Sequence, residues 1–155
     1  MRNLSSIFEN RVLWVAILAW LIAQLSKIIV VWIVERKLNL RRIVGAGGMP
    51  SSHSAFAVAL ATGVGFRLGF GAPTFALAAA FAMVVMYDAA GVRRAAGRQA
   101  QVLNCILKDL QQLIDEGTWP RGDHFQAHLL ELVGHSPVEV LAGALVGLAV
   151  AVLLV

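Results

Sequence analysis

Residues 52–90 read "SHSAFAVALATGVGFRLGFGAPTFALAAAFAMVVMYDAA" and contain two apolar runs separated by a short turn. A transmembrane helix needs about 20 predominantly apolar residues, or somewhat fewer where one end is buried in protein. The runs at 52–70 and 73–90 approach that length, and the glycines and proline of the intervening "GFGAP" are typical of a tight turn. The stretch therefore predicts an antiparallel hairpin of two membrane-spanning helices.

Two further apolar runs flank this hairpin, at about 12–34 and about 137–155. Of the 155 residues, 59% are hydrophobic and only 14% are charged, whereas soluble domains carry about 25% charged residues. The mean hydropathy of +0.75 agrees with this composition. The sequence thus predicts an all-α integral membrane protein, a single membrane domain over residues 1–155 with about four transmembrane helices.

The region between the third and fourth runs has a different pattern. From 99 to 114, apolar residues recur at helical spacing with polar residues between them, which predicts an amphipathic helix at about 95–115. Such a helix either continues the third span out of the membrane or packs on the bilayer surface or a partner helix.

Charge predicts the orientation of the four spans. They place residues 35–51 and 91–136 on one face of the membrane, with both termini and the short turn on the other. The first face carries nine lysines and arginines and the second carries three. Because cytoplasmic loops are enriched in Lys and Arg, we expect the first face to be cytoplasmic.

Ionisable residues gather on that same face. Lys27 lies in the half of the first span nearest that face, and the others lie near the ends of the spans or in the loop that joins the first two: Arg41, Arg42, His53, Asp88, Arg93, Arg94, His135 and Glu139. Ionisable groups at membrane depth are costly, so a cluster of them predicts a functional site.

The chemistry of the cluster suits a phosphate group. In "GAGGMPSS" (45–52), Gly47 and Gly48 can present backbone N–H groups, and Ser51 or Ser52 can cap the following helix, whose positive dipole end attracts anions. Arginines bind phosphoryl oxygens in pairs and stabilise transition-state charge. One histidine can attack phosphorus while a second protonates the leaving oxygen, and this scheme requires neither a metal nor another cofactor.

Three segments carry a resemblance to a known family. "GGMPSSHSA" (47–55), "YDAAGVRRAAGRQAQVLN" (87–104) and "GHSPVEVLAGALVG" (134–147), in that order, resemble the divergent branch of the type 2 phosphatidic acid phosphatase and vanadium-dependent haloperoxidase superfamily. That branch consists of small bacterial and plant membrane proteins, which implies the bacterial inner membrane or its equivalent as the location.

The resemblance also implies catalytic roles. In the superfamily, the histidine of a Pro-Ser-Gly-His element is the general acid. A later histidine is the nucleophile, oriented by an aspartate four positions further on, which a glutamate replaces in this chain. These positions correspond here to His53 in "PSSH", to His135 and to Glu139.

Two superfamily elements are replaced in this chain. Leu129 stands where the superfamily has an arginine six residues before the nucleophile, and Arg93 or Arg94 would then supply that charge. The first superfamily element, Lys-x6-Arg-Pro, is absent, and its place is taken by position only by Lys27, Arg41 and Arg42.

Several of these residues have purely structural alternatives. "SPVE" at 136–139 is also a capping box with proline at the first helical position, so Glu139 either orients His135 or only caps its helix. Asp88 is either a base or, as we favour, the ion-pair partner of a neighbouring cation. Lys27 could instead extend to the membrane surface, and Arg93 and Arg94 could be membrane anchors.

Two other patterns concern metal binding and packing. His124 and His128 lie four residues apart but have no clear third ligand, so we predict no metal site. Small residues at helical spacing predict close helix packing, within the chain or between subunits: Ala57, Ala61, Gly65, Gly143 and Gly147.

The sequence therefore predicts a metal-independent phosphatase acting on a lipid phosphate or a polyprenyl (di)phosphate, with the site facing the cytoplasm. The alternatives are a non-hydrolytic phospholipid or phosphate transporter and a subunit of a membrane complex. No basic, aromatic-bearing soluble surface is present, so nucleic acid is not an expected partner. Four spans make a thin scaffold for a closed pocket, and we therefore expect a homodimer.

Overall fold

The computed structural model describes residues 4–35, 48–115, 129 and 134–155. After a short 3₁₀ helix at Leu4–Ile7, the elements are α1 (Arg11–Glu35), α2 (Ser52–Leu68), α3 (Pro73–Tyr87), a π-helical turn (Asp88–Val92), α4 (Arg93–Asp115) and α5 (Pro137–Leu154). Every regular element in these ranges is helical, as the sequence predicts.

Within the described ranges, three stretches are long and apolar enough to cross a membrane: Arg11–Val30, Pro73–Leu110 and Pro137–Leu154. Large apolar side chains on these helices point outward, for example Leu77, which is 74% exposed. Both observations are those of an integral membrane protein. The remaining predicted span, α2, has 17 residues, about 25 Å of helix against a hydrocarbon core of about 30 Å. The count of four spans stays a prediction.

The predicted hairpin is formed by α2 and α3. Gly69 ends α2 with a φ of +91°, a conformation that favours glycine, and its N–H donates to the carbonyl of Gly65 at 2.9 Å. Pro73 then begins α3, where a missing N–H costs nothing. Ala57 and Ala61 of α2 pack against Ala82 of α3 in a small-residue contact.

Helix α2 lies at the centre and packs against α1, α3 and α5. Its contact with α5 is backbone against backbone. A Cβ added at Gly143 would run into the carbonyl oxygen of Ser51 and lie 2.9 Å from its carbonyl carbon, and one added at Gly147 would meet Ala55 in the same way. Small residues permit such close approach, so the predicted packing role of these glycines is confirmed within the chain.

Helix α3 continues through the π turn into α4, which covers the stretch predicted to be amphipathic. Apolar side chains of α4 such as Val102 and Ile106 are exposed. The buried Asn104 donates from Nδ2 to the carbonyl of Leu129 at 3.0 Å and accepts from the Leu129 N–H at 3.1 Å. Whether α4 lies on the bilayer surface or on a partner stays a prediction.

Candidate functional site

The start of α5 holds a histidine–carboxylate pair. Ser136 caps the helix, and its side chain accepts from the Glu139 N–H at 3.3 Å. Glu139 Oε2 accepts from the Ser136 N–H at 3.1 Å and also lies 3.0 Å from Nδ1 of His135. Both contacts considered for Glu139 are therefore present at once, because the same carboxylate caps the helix and contacts the imidazole.

The other imidazole nitrogen of His135 has no such partner among the residues that the structure describes. The side chain is 2% exposed, and Nε2 is buried without a hydrogen bond to any residue that the structure describes. A carboxylate can only accept, so Nδ1 carries the proton and Nε2 keeps its lone pair. Because buried polar atoms are nearly always paired, an unpaired one calls for an explanation, and a catalytic role is one of the recognised explanations.

Burial lowers the pKa of His135 below its ordinary value, and the positive charges of Lys27 and Arg93 act in the same direction. The hydrogen bond with Glu139 and its negative charge oppose this shift. The net direction is downward, which keeps the imidazole neutral at pH 7.

A π-helical turn holds the backbone of His135. The His135 N–H donates to the carbonyl of Ala89 at 2.9 Å, and Ala89 lies in the π turn between α3 and α4. Gly134 has a φ of +98°, and a Cβ there would lie 2.6 Å from the carbonyl carbon of Arg93. Short π-helical turns like this one, at Asp88–Val92, occur frequently at functional sites. These contacts could not be predicted from residue types, because they use backbone atoms.

The same turn carries an ion pair. Arg93 Nε donates to Asp88 Oδ2 at 2.6 Å, and both side chains are partly exposed. This is the pairing that the sequence favoured for Asp88. Arg94 follows on the exposed surface of α4. Both arginines therefore lie beside the segment that carries His135, as the predicted phosphate site requires.

The start of α2 lies against that of α5. Ser51 Oγ accepts from the N–H of Ser54 at 3.4 Å and from its hydroxyl at 3.0 Å, which makes Ser51 the predicted helix cap. The Ser51 N–H donates to the carbonyl of Glu139 at 2.9 Å. Ser51 and Ser52 are buried. Gly48 precedes them with a φ of +96° and open space around it.

His53 is exposed in the first turn of α2. The groups that act on it electrostatically are Arg93, His135, Lys27 and Asp88. Lys27 is 3% exposed on α1, and its charge also acts on Glu139. Of the residues proposed from the sequence, the structure therefore brings six within electrostatic range of one another: Lys27, His53, Asp88, Arg93, His135 and Glu139.

His53 also lines an apolar groove of about 330 Å³ between α1, α2 and α3. The remaining lining residues are all apolar: Ile17, Trp20, Phe56, Ala57, Phe81 and Val85. The sequence did not predict this groove, because each helix contributes only part of it.

Some predicted residues lie outside the described ranges. Arg41, Arg42, Gly47, His124 and His128 belong to segments whose structure is not described. Within the described residues, no three histidine, cysteine or acidic side chains form a group that could hold a metal ion.

The apolar helices and the polar cluster at one end of the bundle define an integral membrane protein with a candidate anion site. The chain belongs to the Divergent PAP2 family, whose sequence model matches residues 8–150. It is 43% identical over 133 residues to the "Uncharacterized membrane protein YuiD" of Bacillus subtilis (strain 168), and the match covers 84% of each chain. No solved structure matches. The resemblance drawn from the three sequence segments is thereby confirmed.

Proposed function

We propose that the protein is a membrane-embedded, metal-independent phosphatase that hydrolyses a lipid phosphate or polyprenyl (di)phosphate through a phosphohistidine. The observation that carries this proposal is the state of His135. Its Nδ1 is fixed by Glu139, and its buried Nε2 is unpartnered among the described residues. Lys27 and Arg93 act on it with positive charge. A neutral imidazole with a fixed lone pair beside two cations suits attack on a phosphoryl group.

In the first step, Nε2 of His135 attacks phosphorus in line with the leaving oxygen. The P–N bond forms as the P–O bond breaks, and protonated His53 gives its proton to the leaving oxygen, which departs as an alcohol or as a phosphate monoester. The imidazole gains positive charge at this point, and the carboxylate of Glu139 stabilises it. Lys27, Arg93 and Arg94 balance the charge on the phosphoryl oxygens.

In the second step, water attacks the phosphohistidine. His53, now neutral, accepts a proton from that water as the P–N bond breaks, and the bonding pair returns to Nε2. Inorganic phosphate leaves, and both histidines are again in their starting states. The two steps need no redox partner and no metal ion to balance.

The family and the membrane helices support a lipid as the carrier of the phosphate. The substrate's hydrocarbon part can remain in the apolar region while the phosphate reaches the polar cluster. Asp88 pairs with Arg93 and can set its position. The further phosphate contacts proposed from the sequence are Arg41, Arg42, Gly47, Gly48, Ser51 and Ser52. If the cytoplasmic orientation is right, the substrate is a lipid phosphate made on that side.

The test is phosphate release by the purified full-length protein in detergent with EDTA. The substrates are a panel of lipid phosphates and polyprenyl diphosphates, and wild type is compared with His135→Ala and His53→Ala. We expect release by the wild type and its loss in both variants. Absence of release from every substrate, in folded protein that still binds the lipid, would overturn the proposal in favour of a transporter.

A further inference from the structure

The groove beside His53 leads away from the polar cluster into the apolar part of the bundle. Trp20 and Ile17 precede Lys27 on α1 by seven and ten residues, so they lie about 10–15 Å deeper at 1.5 Å per residue. Phe81 and Val85 precede the π turn on α3 in the same direction. His53 is thus the polar end of a groove that is otherwise apolar.

The size of the groove limits what it can hold. Its volume of about 330 Å³ is at the lower end of the range of about 300–1,000 Å³ for small-molecule sites. Three of its lining residues, Trp20, Phe56 and Phe81, present aromatic rings. Such a space fits part of one hydrocarbon chain and is too small for a helix of another protein.

We propose that this groove binds the first segment of one hydrocarbon chain of the substrate, next to the phosphate, while the rest of the chain extends into the bilayer. This inference rests on the proposed function and adds a second point of attachment to the phosphate. With its head at His53 and its chain along Trp20 and Phe81, the ester is held in one orientation relative to His135.

The main effect of the groove would be to orient the substrate rather than to add binding free energy. A lipid tail is already surrounded by hydrocarbon in the bilayer, so moving it into the groove gives no hydrophobic gain of the kind found in water. Dispersion contacts with the aromatic rings hold the chain in one direction. Blocking the groove therefore misplaces the phosphorus atom, and we expect a loss on the order of tenfold in kcat/KM for long-chain substrates.

Ile17→Trp fills the groove from α1, and Leu18→Trp is its matched control. Leu18 is the next residue, is 40% exposed and does not line the groove. Phosphate release is measured from hexadecyl phosphate and from butyl phosphate, whose chain is too short to reach far into the groove. We expect Ile17→Trp to lower kcat/KM for hexadecyl phosphate about tenfold and to leave kcat/KM for butyl phosphate unchanged. Leu18→Trp should change kcat/KM for neither ester.

A second variant, Val85→Trp, fills the groove from the opposite wall and should give the same pattern. An equal loss on both esters would mean that the variants disturb His53 rather than the chain site, and it would overturn the inference, as would no loss on either. In each of these cases the hydrolysis itself survives, so the proposed function stands.

A binding measurement covers the remaining case, in which the wild type hydrolyses neither ester. Hexadecyl phosphate carrying a photoreactive diazirine on its chain is cross-linked to the full-length protein, and the labelled residues are mapped by mass spectrometry. Labelling concentrated at Trp20 and Phe81 supports the groove even without turnover. Labelling spread evenly over lipid-facing residues such as Leu77 overturns it.

Discussion

The starts of α2 and α5 contain the same two kinds of residue, a capping serine and a histidine, in the opposite order. Each has a serine cap and a histidine, but His135 precedes its cap and is buried, whereas His53 follows its cap and is exposed. His135 is held at Nδ1 by Glu139 and at its backbone by Ala89. The fixed histidine suits a nucleophile, which must keep one direction of attack, and the exposed one suits an acid that also serves water in the second step.

The largest expected effect comes from removing the fixed histidine. His135→Ala deletes the attacking atom, and we expect phosphate release to fall by at least about 10⁴-fold. Brief incubation with a ³²P-labelled substrate should label the wild type on histidine and leave the variant unlabelled. Label that persists on the variant would assign the nucleophile to another residue.

Removing the exposed histidine should have a smaller effect that depends on the leaving group. His53→Ala loses the proton donor, and we expect a loss of about 10²–10⁴-fold on alkyl phosphates. On p-nitrophenyl phosphate, whose leaving group needs no proton, the first step should be nearly unaffected and labelled enzyme should accumulate. Equal loss of labelling on both substrates would contradict the acid role.

Glu139 both caps α5 and contacts His135, and two variants can separate these effects. Glu139→Gln keeps a residue that can complete the capping box but removes the charge that fixes His135. We expect a loss on the order of 10²-fold or more in kcat with little change in thermal stability.

Ser136→Ala is the matched control for that variant. It removes the cap and should cost about 1 kcal/mol of stability, while the contact between His135 and Glu139 remains and kcat changes little. If both variants instead lower stability and kcat together, capping and positioning are not separable functions of this helix start.

The smallest effect concerns pH. Because burial lowers the pKa of His135, the rate should fall with acid only below the ordinary histidine value of about 6.5. The folded state binds this proton less readily than the unfolded state, so stability should also fall as the pH drops from about 6.5 towards the folded-state pKa. Thermal unfolding between pH 7.5 and pH 5 measures this, and His135→Gln should flatten part of the dependence.

Much of this candidate site could be predicted from the sequence, because it depends on the spacing of residues along the chain. His135 and Glu139 lie four residues apart at a helix start, which places their side chains together. The four spans expected from the sequence would place His53, Asp88 and His135 on one face of the membrane. Polar residues are rare in an apolar chain, so residue type alone marks these positions as candidates for a site.

The remainder could not be predicted, because it depends on backbone atoms and on several helices at once. His135 is held by the backbone carbonyl of Ala89, and Asn104 binds the backbone of Leu129. A backbone group is the same whatever the side chain, so residue type does not indicate these contacts. The groove needs the relative position of three helices. The 17 residues of α2 also show why length alone does not fix the number of spans.

The contact of Gly143 and Gly147 with the first turn of α2 has a consequence for how this protein can vary. Ser51 and Ala55 at the start of α2 meet the second and third turns of α5 through main-chain atoms, with no room for even a methyl group at either glycine. The helices that carry His53 and His135 are therefore held against each other by main-chain contact, to which the Ser51 N–H adds a hydrogen bond to the carbonyl of Glu139 at 2.9 Å. Under the proposed mechanism, lipid-facing and groove residues can diverge and change the preferred ester without altering the main-chain contact between the helices that carry the two histidines.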